Sequence, residues 1–265
     1  MPCFFSAAKA LPVRDEDVAQ GALVNNRADG LFAPRGEPEY ERCAVVGSSP
    51  SLANVELGAE IDSYDAIMRF NLAPTEGFER QVGSRTDVLL VNDVVARDVD
   101  AWGPRCAQYK QLHLLYGFIR DEWRSIGAGV REELGKHAGA CDHATLVEEI
   151  AWKEMYQEPY AKICRGWARM HSVENIRCRR PSMGTCGIML ATIGGLCRHT
   201  TLYGWGNIQQ VNVPGHYWDH DHRHSTGAHS YGIEAATAVY IAEMFNHTNA
   251  NGGLNGHRTV RLRPI

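Results

Sequence analysis

The sequence predicts an α/β fold: a single Rossmann-like domain with a mostly parallel sheet flanked by helices. Short apolar runs of strand length recur along the chain, as at 43–46 and 65–70, and small turn residues follow them. Longer segments of helical composition lie between these runs. Apolar runs bounded by turn residues are typical of buried strands. Strands that alternate with helices build parallel sheets covered by helices.

Six segments are predicted as strands: 43–46, 65–70, 87–92, 111–116, 199–205 and 258–262. Residues 117–175, rich in Glu, Arg and Ala, are predicted to be mostly helical. Helices are also predicted over 182–196, where Ser182 is suited to cap the first turn, and over 230–245. The aromatic residues of 117–175 are interpreted as core residues, with stacking on sugar faces as the alternative; they include Trp123, Trp152, Tyr156 and Trp167.

The composition sets bounds on domain organisation and partners. Residues 1–40 show little periodicity and are predicted to be an N-terminal arm or linker, whereas 41–265 are long enough for one domain with a sizeable core. The formal charge of −4 argues against nucleic-acid binding through bulk charge. No apolar run reaches the roughly 20 residues that span a bilayer, so we expect no transmembrane segment in this sequence. The eight cysteines include no C-x-x-C pair, which argues against a zinc ribbon or a thioredoxin-type motif.

The stretch 43–86 predicts a nucleotide-type site. The apolar run at 43–46 ends in Gly47, which lets a ligand approach the backbone, and a helix start is expected directly after it. We expect that helix to offer unpaired N–H groups to an anion. The second predicted strand delivers Asn71 to the same edge of the sheet. The alternative is the first strand and loop of any Rossmann-like sheet, without a nucleotide.

Four pieces of sequence, in order, carry a family resemblance. The first runs from Cys43 to Thr86, with C-A-V-V-G-S-S-P at its start, R-F-N at 69–71 and G-F-E-R-Q-V-G-S-R-T at its end. The others are 180–197, H-Y-W-D at 216–219 and H-x4-E at 229–234. Together they resemble the large, small, third and very small sialyl motifs of the eukaryotic sialyltransferases, glycosyltransferase family 29.

The resemblance implies a variant of the GT-A glycosyltransferase fold, with 41–265 as the catalytic domain. It implies metal-independent, inverting transfer of sialic acid from CMP-sialic acid to a hydroxyl of a glycan on a glycoprotein or glycolipid. His229 is then the catalytic base, because a neutral imidazole is available at neutral pH to accept a proton. His216 is then the partner of the CMP phosphate; the alternative is a loop histidine that packs on Trp218.

The resemblance also assigns the residues that hold the donor. They are Ser48, Ser51, Asn71, Ser182, Met183, Gly184 and Tyr217. Glu234 is expected to have a structural role, orienting the helix entry or other backbone rather than the imidazole of His229. The sequence departs from the family pattern here, since Ser48 and Ser51 stand where asparagines are usual. Pro50 replaces a usual glycine and Met183 a usual threonine.

A disulfide between Cys43 and Cys197 follows from the same resemblance and joins the large and small motifs. It would close a loop of about 150 residues and add on the order of 5 kcal/mol in the chain-entropy account. The alternative is two buried thiols. The family implies an oxidising secretory lumen, the Golgi lumen, and typically an N-terminal membrane anchor; that anchor is not expected within this sequence.

Three alternatives stay open. The donor sugar can be another CMP-activated keto-sugar acid, such as 3-deoxy-octulosonate. The protein can also be a CMP-binding relative without transfer activity, given the substituted donor loop. The third alternative is a metal-dependent enzyme that uses the run Asp219-His220-Asp221-His222-Arg223-His224, because carboxylates and imidazoles are common metal ligands.

Overall fold

Seven strands form one sheet. In chain order they are β1 (Tyr40–Val46), β2 (Ala66–Phe70), β3 (Val88–Val91), β4 (Gln111–Leu115), β5 (Ala144–Val147), β6 (Cys197–Tyr203) and β7 (Thr259–Leu262). Side by side they lie in the order β5-β4-β3-β2-β1-β6-β7. Every neighbouring pair is parallel. The parallel sheet that the sequence predicts is therefore confirmed.

The computed structural model describes residues 37–96, 98–115, 144–147, 156–170, 180–205, 215–219, 231–250 and 258–263, with the single residues 172, 174 and 178. Its helices are α1 (Gly58–Asp62), α2 (Glu79–Val82), α3 (Asp93–Ala96), α4 (Val99–Trp102), α5 (Glu158–Met170), α6 (Met183–Ala191) and α7 (Tyr231–Ala250). Two 3-10 helices span Pro50–Asn54 and Gly103–Gln108. Within these ranges, no helix combines the length and apolar character that crossing a membrane requires.

Both faces of the central strands are buried, as a parallel sheet requires. On one face, Val45, Met68 and Leu90 pack with residues of α5, α6 and α7 in the main core. On the other face, Ala44 and Ile67 pack under the 3-10 helix Pro50–Asn54, α1 and α2. Leu89, Val91 and Leu112 continue that face under α3, α4 and the second 3-10 helix, in a separate cluster.

The strand order creates a switch point between β1 and β6. From β1 the chain moves through β2, β3, β4 and β5 toward one edge, and it then returns to place β6 and β7 on the other side of β1. Connections therefore leave the carboxyl ends of β1 and β6 in opposite directions. This divergence opens a crevice, and ligands of open α/β sheets bind in such crevices.

Five of the six predicted strands have ends within two residues of the observed ones, and the first begins earlier, at Tyr40. The prediction for 117–175 is wrong at Ala144–Val147, which forms the edge strand β5. Four residues are too few to show a strand period. Within that segment, Glu158–Met170 is helical as predicted. The helix predicted over 182–196 ends at Ala191, and Gly195 follows with φ of 76°.

Two disulfides between described residues tie the main core together. The structure contains the disulfide Cys43–Cys197, which joins the neighbouring strands β1 and β6. A second disulfide, Cys164–Cys178, fastens α5 to the segment that leads into α6, and no sequence pattern predicted it. Tyr156 is buried in the main core and Trp167 packs against it, which favours the core interpretation for these two aromatics. Trp123, Trp152 and nearly all of the predicted arm 1–40 lie outside the described residues.

Candidate active site

Chain segments from distant parts of the sequence meet at the carboxyl edge of β1 and β6. The Gly47 N–H donates to the Tyr203 carbonyl at 2.8 Å, which joins the ends of the two strands. The Tyr217 N–H donates to the Ser48 carbonyl at 3.1 Å. The segment 215–219 is therefore fixed over the loop that follows β1.

Trp205, which follows β6, lies between the loop after β1 and the start of α6. A Cβ atom on Gly47 would lie 3.4 Å from Trp205 Cε2 and 3.2 Å from the Gly204 carbonyl oxygen. A Cβ atom on Gly184 would overlap the six-membered ring of Trp205. The indole also packs edge-on against Phe70, with ring centroids 6.5 Å apart. Glycine at 47 and 184 thus allows the loop after β1 and the start of α6 to approach the same ring.

The loop after β1 does not present a helix N-terminus to a ligand, and the expectation from the sequence is wrong on this point. Pro50 begins the 3-10 helix Pro50–Asn54 and has no N–H. The Ser51 N–H donates to Ser49 Oγ at 3.3 Å, and the Leu52 N–H donates to the Ser49 carbonyl at 3.1 Å. The amides open to a ligand come earlier, because the N–H groups of Ser48 and Ser49 make no hydrogen bond within the described residues.

The N-terminus of α6 provides the open helix end instead. Ser182 caps α6, and its Oγ accepts from the Thr185 N–H at 3.3 Å. The N–H groups of Met183 and Gly184 have no hydrogen-bond partner in the described part of the chain. Two free amides at the positive end of a nine-residue helix suit an anionic ligand. The Met183 side chain is buried in the core, so this residue offers its amide.

Glu234 of α7 holds the same helix start from behind. Its Oε2 accepts from the Ser182 N–H at 2.9 Å and from the Thr185 hydroxyl. Only 1% of the residue is exposed. The carboxylate therefore contacts the backbone of the small-motif segment, and α7 and α6 are locked together at the candidate site.

Asn71 lies at the carboxyl ends of β2 and β3. Its N–H donates to the Leu90 carbonyl at 2.7 Å, and its side-chain oxygen accepts from the Asn92 N–H at 3.0 Å. Its φ of 53° lies in the left-handed region, which asparagine tolerates better than most residues. The side-chain NH₂ group donates to no described residue and is available to a ligand.

His216 is held by two neighbours. Its Nδ1 hydrogen-bonds with Asp219 Oδ2 at 2.8 Å, and its ring stacks on Trp218 with centroids 4.4 Å apart. The packing on Trp218 that the sequence left as an alternative is thus present. This packing leaves a ligand role open, because Asp219 occupies Nδ1 and Nε2 makes no hydrogen bond within the described residues. The side chain is 43% exposed.

Tyr217 points the other way, into the protein. Its hydroxyl donates to the Pro74 carbonyl, and its ring packs edge-on against Phe78 at 5.2 Å. Burial raises the pKa of Tyr217 to about 12, so the phenol is neutral at neutral pH. Tyr217 therefore anchors the loop after β2 to the segment 215–219, while its backbone binds Ser48. The sequence assigned this residue to donor binding, and the structure brings it to the site through these anchoring contacts.

The sequence motifs do not predict two residues that lie at the site, Trp205 and Arg69. The sequence predicts Trp205 only as the end of a strand, although the Y-G-W-G run at the carboxyl edge is a usable signal. Arg69 is 2% exposed below Asn71 and donates from Nε to the Arg85 carbonyl at 3.1 Å. Burial lowers the pKa of Arg69 to about 10, which keeps it charged at neutral pH. The sequence feature that could have indicated Arg69 is an arginine inside an apolar strand.

Several residues that the sequence predicts for the site are not among the described residues. His229 lies outside the described residues, as do His220, Asp221, His222, Arg223 and His224 of the alternative metal run. Asp219 is the one described member of that run, and it pairs with His216. Among the described residues, no three His, Cys, Asp or Glu side chains converge as metal ligands would. In sequence, α7 begins two residues after His229.

The fold defines the class of protein. Two solved structures titled as a mammalian sialyltransferase have similar folds. The first aligns with a TM-score of 0.53 and 20% identity, covering 96% of this chain and 80% of that one. The second, in complex with Gal-beta-1-3GalNAc-ortho-nitrophenol, aligns with a TM-score of 0.53 and 19% identity, covering 95% and 80%. The chain therefore has the α/β glycosyltransferase fold of these proteins.

Sequence comparison then gives the family. The profile of glycosyltransferase family 29 (sialyltransferase) matches residues 21–243, which is most of the chain. The chain therefore belongs to this family. The resemblance inferred from the four motifs is confirmed.

Individual relatives match over shorter stretches. Identity is 38% over 92 residues with beta-galactoside alpha-2,6-sialyltransferase 2 of Xenopus tropicalis, covering 29% of this chain and 18% of that protein. It is 53% over 53 residues with beta-galactoside alpha-2,6-sialyltransferase 1 of Mus musculus, covering 20% and 13%. Each match spans less than a fifth of the relative's length.

Proposed function

We propose that this protein transfers sialic acid from CMP-sialic acid to a hydroxyl of a glycan on a glycoprotein or glycolipid, with inversion and without a metal. The observation that carries the proposal is the convergence of unpaired hydrogen-bond donors at one edge of the sheet. They are the amides of Ser48, Ser49, Met183 and Gly184, the side-chain NH₂ of Asn71, and His216. Membership of the sialyltransferase family supports the same assignment.

These donors suit the phosphate and ribose of CMP. The open end of α6 favours a negative group, and amides approach phosphate oxygens closely because they carry no side-chain bulk. In this proposal, Asn71 and the hydroxyls of Ser48, Ser51 and Ser182 bind sugar oxygens. Ser51 Oγ is already paired with Ser49 Oγ at 2.8 Å, so it would bind as part of that pair.

The leaving group requires charge stabilisation more than a proton. Transfer breaks the bond between the anomeric carbon and the CMP phosphate oxygen, and the electron pair leaves with the phosphate. A phosphate monoester is a weak base, so hydrogen-bond donors fixed in advance lower the barrier. His216 supplies one of them through Nε2, because Asp219 holds Nδ1 and fixes the ring. These donors stabilise the negative charge that a cation stabilises in metal-dependent transferases. We therefore propose that no metal takes part.

The acceptor side requires a base. The acceptor hydroxyl oxygen forms the new bond to the anomeric carbon from the opposite face, and its proton must be removed. We assign that proton to His229. Glu234 then acts indirectly, since it binds the backbone of Ser182 and holds the start of α6. The role of Glu234 is therefore positional.

One observation favours a second candidate function. Two hydrogen bonds between Ser49 and Ser51 close the first turn of the 3-10 helix, where the family pattern places glycine at position 50 and asparagine at position 51. This change removes donors from the sugar-nucleotide side of the loop. It favours either a different CMP-activated keto-sugar acid, such as CMP-Kdo, or a CMP-binding relative that no longer transfers.

Binding and turnover measured together test these functions. CMP is titrated into the protein by calorimetry, and CMP-activated sugars are then offered with a mixed set of glycan acceptors in the presence of a chelator. We expect CMP to bind and CMP-sialic acid to be consumed with transfer. Turnover of CMP-Kdo alone identifies the other sugar, and binding without any turnover identifies the inactive relative. Activity lost on chelation would contradict the metal-independent mechanism.

We further propose that residues 41–265 form one catalytic domain that works in the Golgi lumen. The support is the disulfides Cys43–Cys197 and Cys164–Cys178, because disulfides persist in oxidising compartments of the secretory pathway. Membership of the sialyltransferase family points to the same compartment.

A further inference from the structure

A cleft of about 300 Å³ lies beside the candidate active site, on the face of the sheet that carries Leu89. This face is covered by two separate groups of helices. One group, with α1 and α2, packs over Ile67, and the other, with α3 and α4, packs over Leu89. The cleft lies where the two groups part, and Arg69 and Leu89 are among its lining residues.

Arg69 brings a positive charge to this cleft without an ion-pair partner. Its Nε and Nη2 donate to the carbonyls of Arg85 and Val82, at 3.1 and 2.5 Å. In the described part of the chain, no carboxylate lies within ion-pair distance, and Nη1 makes no hydrogen bond. A buried guanidinium that meets only carbonyls retains most of its charge for a further partner.

The other charges around the cleft leave a positive balance. Asp87 lines the cleft, but its carboxylate binds Arg85 Nη2 at 2.9 Å and Lys110 Nζ at 3.0 Å. Arg105 lies on an exposed part of the lining, and its Nη2 donates to the Ala101 carbonyl at 3.0 Å. The lining thus contains three arginines and one carboxylate, that of Asp87. This carboxylate also forms an ion pair with Lys110.

Neutral donors complete the lining. Thr75, Thr86 and Tyr109 contribute to it, together with Asn71 at the end toward the active site. The Tyr109 hydroxyl makes no hydrogen bond within the described residues, and burial raises the pKa of this phenol, which keeps its proton. Hydroxyl and guanidinium groups are donors that carboxylates and phosphates accept from.

We propose that this cleft binds an oxyanion, a carboxylate or a phosphate, with Arg69 at its floor and Arg105 on its exposed side. The site is distinct from the proposed CMP site, because the loop after β2 separates them. The Tyr217 hydroxyl fastens Pro74 of that loop from the active-site side, while Ala73 and Thr75 line the cleft. Asn71 borders both sites, so an oxyanion here touches the wall of the active site. The proposal does not depend on the donor sugar or on transfer.

The test uses the full chain saturated with CMP, titrated with inorganic phosphate and separately with acetate at constant ionic strength. Saturable binding of either anion is expected, and the tighter one identifies the oxyanion class. Arg105→Gln should weaken that binding by about five- to tenfold, the loss expected for one charge-assisted contact. Arg80→Gln is the matched control, because Arg80 is an exposed arginine paired with Glu56 and does not line the cleft.

Two results would overturn the proposal: no saturable binding in the presence of CMP, or equal losses in the two variants. Arg69→Lys gives a second measurement, since it keeps the charge but loses the two-carbonyl contact, and we expect it to weaken binding more than tenfold. If circular dichroism shows that this variant does not fold, Arg105→Gln decides alone. CMP binding measured without the anions tests the proposed function separately.

Discussion

At the scale of single residues, the site depends on a few small side chains that face large rings. Gly184 and Gly47 both lie against Trp205, and the open amides at the start of α6 and in the loop after β1 come together around that ring. A methyl group at either glycine meets an indole that is 8% exposed and packed on Phe70. The ring has no room to move away, so a small change here reaches the proposed donor amides directly.

We expect Gly184→Ala to lower the free energy of unfolding by about 1–3 kcal/mol, the usual cost of overpacking. CMP affinity should fall with it, because the Gly184 amide moves. Urea unfolding and calorimetric CMP titration measure the two effects. Adding Trp205→Phe removes the ring atoms that the new methyl overlaps, so the double variant should regain stability relative to Gly184→Ala. A double variant no more stable than Gly184→Ala would place the strain elsewhere.

The two histidines should separate binding from transfer. His216→Ala removes a donor from the proposed phosphate site and should weaken CMP binding about tenfold, near 1.4 kcal/mol for one charge-assisted hydrogen bond. His229→Ala should abolish transfer and leave CMP binding within a few fold. Calorimetry with CMP and a transfer assay with CMP-sialic acid give both readings for each variant. Intact transfer with lost CMP binding in His229→Ala would contradict its assignment as the base.

At the scale of elements, one buried carboxylate links α6 and α7 in addition to their packing in the main core. Glu234 of α7 binds the Ser182 N–H and the Thr185 hydroxyl of α6, and it does so in a buried position. A carboxylate at a helix N-terminus is also favoured by the helix dipole. The glutamate of the fourth motif therefore acts on the second part of the proposed donor site, although Ser182 and Glu234 are 52 positions apart in sequence.

Glu234→Gln tests this link between the helices. The amide loses the charge and one of the two acceptor oxygens, so we expect a loss of about 1–3 kcal/mol in the free energy of unfolding. CMP affinity should also fall, since the amides of Met183 and Gly184 are no longer held in place. Glu243→Gln is the matched control on the exposed side of the same helix and should change neither quantity. Equal effects in the two variants would show that the loss reflects charge on α7 alone.

At the scale of the whole molecule, the disulfide Cys43–Cys197 spans most of the described chain. It closes a loop with a sequence separation of 154 and holds together the two strands that flank the switch point. The disulfide Cys164–Cys178 has a sequence separation of 14. Loop-closure entropy grows with loop length, so the two bonds should stabilise the fold to different extents.

We expect replacement of Cys43 and Cys197 by alanine to lower the free energy of unfolding by about 5 kcal/mol in the chain-entropy account. The matched control, alanine at Cys164 and Cys178, should lose about 3 kcal/mol. Urea denaturation of the two double variants compares them under the same conditions. A larger loss from the Cys164–Cys178 pair would show that local packing outweighs loop length.

The strands and the site residues differ in how far the sequence predicts them. The strands at 65–70 and 87–92 are predictable because strands of a parallel sheet are buried on both faces and remain largely apolar runs. The edge strand Ala144–Val147 is not, because four residues carry too little pattern. The motifs predict Asn71 and His216 as site residues. The roles of Trp205 and Arg69 are not predicted, since each depends on what surrounds it.

The sequence by itself determined the fold class, the family and the order of the four motifs, because apolar runs and motif spacing are properties of the chain. Only the tertiary structure decided which donors are open: Pro50 and Ser51 close the loop after β1, while Glu234 and Ser182 leave the amides of Met183 and Gly184 free. The physical reason is that a hydrogen-bond donor already paired with a neighbouring acceptor is not available to a ligand. That neighbour is local for the Ser51 N–H, which binds Ser49, but it is 52 positions away in sequence for the Ser182 N–H, which binds Glu234.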